Sequence, residues 1–127
     1  MAKKICIVDD EPHIRALIEQ TLEDLEEEYE VEILTATNGG EGLALIREEK
    51  PDLVFLDVMM PVMNGYEVTK AVRQDPALSA VNIVLLTAKG QEVDKRSGLE
   101  AGASRYVTKP FDPNELVAIA TEILGLK

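Results

Sequence analysis

Five short apolar runs punctuate this chain, and each gives way to polar residues before a segment of helical periodicity begins. The runs are Lys4–Val8 and residues 31–36, 53–56, 83–86 and 105–108. They are too short for stable helices, rich in β-branched residues, and mostly continuous rather than alternating. That is the signature of strands buried on both faces. Between them the period changes. Pro12 suits a first helical turn, and Ile14, Leu17, Ile18, Thr21, Leu22 and Leu25 place one apolar stripe on a single amphipathic helix. Further helices are expected over 41–49 (after a Gly39-Gly40 break), 66–74, 91–101 with Gly102 as a left-handed cap, and Pro113–Leu124, started by Asp112 or Pro113. Pro51-Asp52 reads as a turn, 58–65 as a loop containing Pro61 and Asn64-Gly65, and Asp75-Pro76 as the opening of another. Strict alternation of this kind predicts an α/β fold, a doubly wound five-stranded parallel sheet covered on both faces. At 127 residues, one domain over 1–127 is expected.

Charge narrows the partners. There are 13 Lys and Arg against 24 Asp and Glu, a net charge of −11. Phosphate backbones are bound by clustered cations, and the only adjacent basic pairs are Lys3-Lys4 and Lys95-Arg96, so direct nucleic-acid binding is not expected. No apolar run approaches the roughly 20 residues that span a bilayer, and the opening residues do not read as a signal peptide. A cytoplasmic protein without membrane insertion is expected. The lone Cys6 excludes an internal disulfide and reads as a small core residue. The acidic stretch from Glu23 to Glu30 reads as the solvated end of the first helix and the loop after it.

In doubly wound sheets, chemistry sits beyond the carboxyl ends of the strands, where strand order reverses. Just past the first run come Asp9, Asp10 and Glu11; past the third, Asp57; past the fourth, Thr87; past the fifth, Lys109 and Pro110. With strand order 2-1-3-4-5 these groups share one crevice. Two carboxylates about 4 Å apart repel by about 4 kcal/mol at an effective dielectric of 20, so a proton or a cation must relieve them. Hard oxygen ligands without a nearby Cys or His set favour Mg²⁺, which keeps waters and shares oxygens with phosphate. Lys109 offers a point charge suited to phosphate, and Thr87 a hydroxyl donor. The set describes phosphoryl transfer in which an aspartate is itself the acceptor. Asp57, alone at the end of a central strand, is the candidate nucleophile; Asp9 and Asp10 are a candidate metal-holding pair.

These motifs resemble the receiver domain of bacterial two-component response regulators. The likeness is carried by Ile-Val-Asp9-Asp10-Glu11, Leu56-Asp57-Val-Met-Met-Pro61, Asn64-Gly65, Leu86-Thr87-Ala88 and Lys109-Pro110, in order and over essentially the whole chain. The length is similar to that of single-domain, chemotaxis-type members. The resemblance implies a flavodoxin-like (βα)5 fold and a phosphorylation-activated signalling switch. A sensor histidine kinase or phosphotransfer protein would donate to Asp57. It implies Mg²⁺ held by Asp10, Asp57 and the Met59 backbone carbonyl, with Asp9 acting through water. Thr87 and Lys109 would grip the phosphoryl oxygens, and the Lys109-Pro110 bond would be cis. Thr87 and Tyr106 would be the switch, remodelling a face made by the 91–101 helix, the fifth strand and the last helix for an unknown downstream protein. A monomer or weak homodimer is expected.

Two positions depart from chemotaxis-type members: Met59 and Lys89 stand where those have an amide and a carboxylate. A second class, the aspartate-nucleophile phosphohydrolases, resembles this fold but needs a general acid two residues past the nucleophile. Met59 cannot transfer a proton. Neither G-x-x-x-x-G-K-[ST] nor G-x-G-x-x-G appears, which disfavours a nucleotide site. A receiver-like adaptor that is never phosphorylated is the remaining alternative. The expected protein is not an enzyme on an external metabolite, because it catalyses only its own phosphorylation and dephosphorylation. Asp9, Asp10 and Glu11 also suit capping of the first helix, His13 reads as solvated, and Met59, Met60 and Met63 as loop packing.

Overall fold

The structure is a computed structural model that describes residues 3–88 and 102–126. Five parallel strands, β1 (Lys4–Val8), β2 (Glu32–Ala36), β3 (Leu53–Asp57), β4 (Asn82–Ala88) and β5 (Arg105–Lys109), lie in the order β2-β1-β3-β4-β5. This is the flavodoxin-like arrangement, with the order reversing between β1 and β3. The helix expected over 91–101 lies outside the described residues. Gly102, expected to cap it, has a φ of +105°.

Side-chain alternation divides the core in two. Ile5, Ile7, Leu53, Phe55, Val84, Leu86 and Val107 face one side, against Ile18 and Leu22 from the first helical segment and Leu116 and Ala120 from the last helix. Cys6, Val8, Val54, Leu56, Ile83 and Leu85 face the other, against Leu43, Ile46, Val68 and Val72. The central strands β1 and β3 are almost wholly apolar and buried because both faces are covered, whereas the edge strands β2 and β5 carry polar, partly exposed residues. Cys6 lies in this core, and burial pushes its thiol up to about 12, so it is an inert packing group.

The first helical segment departs from the single helix that the stripe predicts. Helix α1 (Pro12–Thr21) ends at Leu22, and α2 (Glu23–Tyr29) follows at once. The apolar spacing survives the interruption: Ile18, Leu22 and Leu25 all stay buried. The acidic stretch therefore forms a helix of its own, with Glu30 in the left-handed region, φ 57°.

Gly39 and Gly40 do not break the chain before the next helix but open it: α3 spans Gly39–Glu49, with the Asn38 side chain accepting from Glu41 N–H as its cap. The reason is steric. A Cβ on Gly39 would lie 2.0 Å from the Met63 carbonyl oxygen, so glycine lets the helix start against the loop that follows β3. Helix α4 (Gly65–Arg73) begins with a reciprocal capping box between Asn64 and Glu67. A Cβ on Gly65 would meet the Asp57 carbonyl at 2.6 Å. A short 3₁₀ turn (Pro76–Leu78) precedes β4, and α5 (Pro113–Leu124) is capped by the Asp112 carboxylate and ends at left-handed Gly125.

The glycines therefore separate by role. Gly65→Ala should destabilise the fold by about 1–3 kcal/mol through overpacking against fixed backbone. Gly40→Ala, with nothing nearer than the Asn38 side chain at 3.5 Å, should stabilise it by about 0.5–1 kcal/mol. Urea unfolding of both variants checks the contrast in sign.

Candidate functional site

Strand register brings the predicted residues to one edge. Val8 pairs with Leu56, Asp57 with Leu86, Thr87 with Thr108, and Ala88 with Lys109. Asp9 and Asp57 thus leave neighbouring strands side by side, and Lys109 reaches them from β5, two strands from β3 and three from β1. By alternation Asp9, Asp57 and Lys109 belong to the Phe55 face, whereas Thr87 and Tyr106 belong to the Leu85 face. Tyr106 is opposite Leu85, two residues before Thr87, and packs half-buried against that second core.

The lysine is the bridge. Its Nζ donates to Asp9 Oδ2 at 3.1 Å and to Asp57 Oδ1 at 3.2 Å. Asp9 and Asp57 are buried, and Asp10 is exposed. One carboxylate oxygen from each of Asp9, Asp10 and Asp57 lies within 4.8 Å of the others. Adjacent residues on a strand diverge, yet Asp9 and Asp10 converge here because the strand ends at Val8.

Burial, and next the Asp9 charge, push the Asp57 carboxyl up to about 6, against the opposing pull of Lys109 and of the Met59 N–H. Burial alone would lower the Lys109 ammonium, but Asp57 and Asp9 more than offset it and hold the lysine above its ordinary value. Among the described residues, three carboxylates face one ammonium, which leaves the cluster negative. The donor set, all carboxylate oxygens, fits a hard divalent cation. The Thr87 hydroxyl is buried with no hydrogen-bond partner among the described residues. An orphaned hydroxyl of this kind costs about 1–3 kcal/mol, which a ligand oxygen would recover.

The loop after Asp57 is tightly folded. Val58 O accepts from both Met60 N and Gly65 N, and Met59 N donates to Asp57 Oδ1 at 3.4 Å. Met63 N donates to Pro61 O at 2.8 Å around Val62, whose φ is 71°. This is the strained, positive-φ form of the γ-turn, on a β-branched residue. The loop also presents apolar surface: Met59 is 60% and Val62 94% exposed, while Met60 is buried. The packing role expected of Met59 therefore does not hold for its side chain. His13 is exposed, near Glu11 at 3.3 Å, and stands away from the cluster's hydrogen bonds. The Lys109-Pro110 bond is cis. Glu11 occupies the position before α1 without a side-chain capping bond, and the Asp9 carboxylate instead accepts from Glu11 N–H at 2.9 Å.

One participant was not legible beforehand. Arg15 Nη1 donates to the Asp9 carbonyl at 2.7 Å. In the sequence it is simply a polar position on an amphipathic helix, and no spacing rule marks it.

A buried aspartate, a bridging lysine and a hydroxyl without a partner among the described residues thus meet at one edge of an α/β sheet. Residues 5–121 match the family model described as the response regulator receiver domain, and the chain belongs to that family, the receiver modules of two-component signalling. It is 39% identical to "Protein PilH" of Pseudomonas aeruginosa over 96% of this chain and 98% of that protein. It is 47% identical to the "Alkaline phosphatase synthesis transcriptional regulatory protein PhoP" of Bacillus subtilis over 98% of this chain and 49% of that one. The chain thus spans about half the length of several curated relatives it matches. Among solved structures, a putative response regulator from Chloroflexus aurantiacus superposes with a TM-score of 0.89 at 36% identity, covering 98% and 99% of the two chains. The receiver domain of the sensor histidine kinase PA1611 from Pseudomonas aeruginosa superposes with a TM-score of 0.85 at 27% identity, covering 98% and 99%. It carries a magnesium ion in its active site cleft. Among the described residues no helix is long and apolar enough to cross a membrane.

The raised Asp57 value has a sign for stability. The folded chain holds the Asp57 proton more tightly than the unfolded chain, so stability falls as pH rises from about 3.8 to about 6 and stays lower above that. The cost reaches at most about 3 kcal/mol at neutral pH. Asp57→Asn should therefore raise the unfolding free energy at pH 7 in metal-free buffer, with the gain shrinking toward pH 4. Denaturant titrations at the two pH values check it.

Proposed function

We propose that this chain is a phosphorylation-activated switch in which Asp57 accepts a phosphoryl group from the phosphohistidine of a sensor kinase or phosphotransfer protein. A bond forms from an Asp57 carboxylate oxygen to phosphorus as the phosphorus–nitrogen bond breaks, and the electron pair stays on the imidazole nitrogen. The observation that carries this reading is the Lys109 ammonium held 3.2 Å from Asp57 Oδ1 inside a cluster of carboxylates. Oδ2 of Asp57 accepts no hydrogen bond among the described residues, which leaves it available to the donor.

Asp10, Asp57 and the Met59 carbonyl would hold Mg²⁺, with Asp9 acting through water. Both Asp9 carboxylate oxygens are already engaged, by Glu11 N and by Lys109, which supports that indirect role. When bound, the cation neutralises charge on the transferring group. The Lys109 ammonium would do the same, and the Thr87 hydroxyl would donate to a phosphoryl oxygen. Thr87 and Tyr106 share one face of the sheet two register steps apart. A pull on Thr87 is thereby felt at Tyr106 and at the face formed by the 91–101 segment, β5 and α5, where a downstream protein would bind. The domain acts on itself rather than on an external metabolite, as a cytoplasmic monomer or weak dimer. The phosphohydrolase alternative lacks its acid at Met59.

Incubation with a small phosphodonor and Mg²⁺ should add one phosphoryl mass in the wild type and none in Asp57→Asn; an unmodified, folded wild type leaves the adaptor reading standing. The exposed Met59 side chain cannot orient a water by hydrogen bonding, so the aspartyl phosphate should be long-lived. Met59→Asn should shorten its lifetime by a factor on the order of ten, read from the decay of the phosphorylated mass.

A further inference from the structure

The two aspartates after β1 are held very differently. Asp9 is fixed at four points. Its N–H donates to Ala36 O at 3.3 Å and its carbonyl accepts from Arg15 Nη1 at 2.7 Å. Its Oδ1 accepts from Glu11 N at 2.9 Å and its Oδ2 from Lys109 at 3.1 Å. Asp10 is exposed, and its carboxylate accepts no hydrogen bond among the described residues, yet it lies within the 4.8 Å cluster. Something other than its own contacts must aim it.

The Asp9 carbonyl and the Asp10 N–H share one rigid peptide plane. The β1–β3 pairing stops at Val8 and Leu56, so the Asp9 carbonyl no longer has a ladder partner there. Arg15 supplies the partner. Its own N–H is bonded to Glu11 O in the first turn of α1, a helix without a side-chain cap, so the guanidinium ties that turn back to the end of β1. Holding the oxygen of the plane sets its rotation, and with it the direction in which Asp10 leaves the backbone.

We propose that Arg15 is a positioning residue for Asp10: by clamping the Asp9 carbonyl it turns the Asp9–Asp10 peptide plane so that the Asp10 carboxylate faces Asp57. This rests on the reading that the acidic cluster holds a divalent cation. Charge alone predicts the opposite sign. A guanidinium beside a cation site repels the cation, so its removal would tighten binding if charge were its only effect.

The test is a Mg²⁺ titration of the wild type, Arg15→Met and Arg15→Lys, followed through the backbone amide shifts of Glu11 and Met59, with metal-free unfolding curves measured alongside. Arg15→Met should weaken Mg²⁺ affinity roughly tenfold, in line with the loss of other groups that orient metal ligands, while its unfolding curve stays close to wild type. Arg15→Lys, which keeps one donor for the Asp9 carbonyl, should stay within about threefold of wild type. If Arg15→Met does not fold, Arg15→Leu, which likewise has no donor, replaces it with the same expected loss. A methionine variant that binds as tightly as wild type or tighter, or a lysine variant as weak as the methionine one, overturns the proposal. A wild type that binds no Mg²⁺ at all would instead overturn the reading of the cluster itself.

Discussion

A single ammonium group holds the functional edge of this molecule together. Lys109 is 100 residues from Asp9 and 52 from Asp57, and its Nζ donates to both. Without it two buried carboxylates would face each other across the β1–β3 boundary, a repulsion of several kcal/mol at short range. With it the cluster still carries excess negative charge among the described residues, since Asp10 joins the same set. Burial first, and then the Asp9 charge, push the Asp57 carboxyl up to about 6 despite the lysine. A site built in this way fits a hard dication, which would relieve the negative charge that these residues leave unbalanced.

The backbone around this edge is packed too closely to drift. Met63 O sits where a Gly39 side chain would be, and the Asp57 carbonyl where one on Gly65 would be. The loop between Val58 and Gly65 is therefore gripped at both ends, by α3 and by the start of α4. Between those grips Val62 is kept in the left-handed region despite its branched side chain. Local strain of this kind, about 1–3 kcal/mol, persists only where the surroundings over-determine the backbone.

Much of the fold was legible because the physics of a buried parallel sheet is local in sequence. The continuous apolar runs located β1 to β5 to within about two residues, and Asp112 with Pro113 marked the start of α5. The expectation failed at two places, for different reasons. The Gly39-Gly40 pair reads as a break until the Met63 carbonyl is seen against it. The stripe from Ile14 to Leu25 reads as one helix because the turn at Leu22 preserves the spacing that periodicity measures.

The same division holds for the site. Sequence alone determined which residue types stand at the strand ends, since Asp9, Asp57, Thr87 and Lys109 each come just past one of the five runs and Asp10 follows Asp9. Only the tertiary structure decided how those groups divide the work. It left Thr87 without a hydrogen-bond partner among the described residues, engaged both oxygens of Asp9, exposed Asp10 beside it, and brought Arg15 onto the Asp9 carbonyl. The physical reason is that a side chain's type is a property of one position. Its hydrogen-bond partners depend on strand order, register and the packing of α1, which pair residues that the chain keeps far apart.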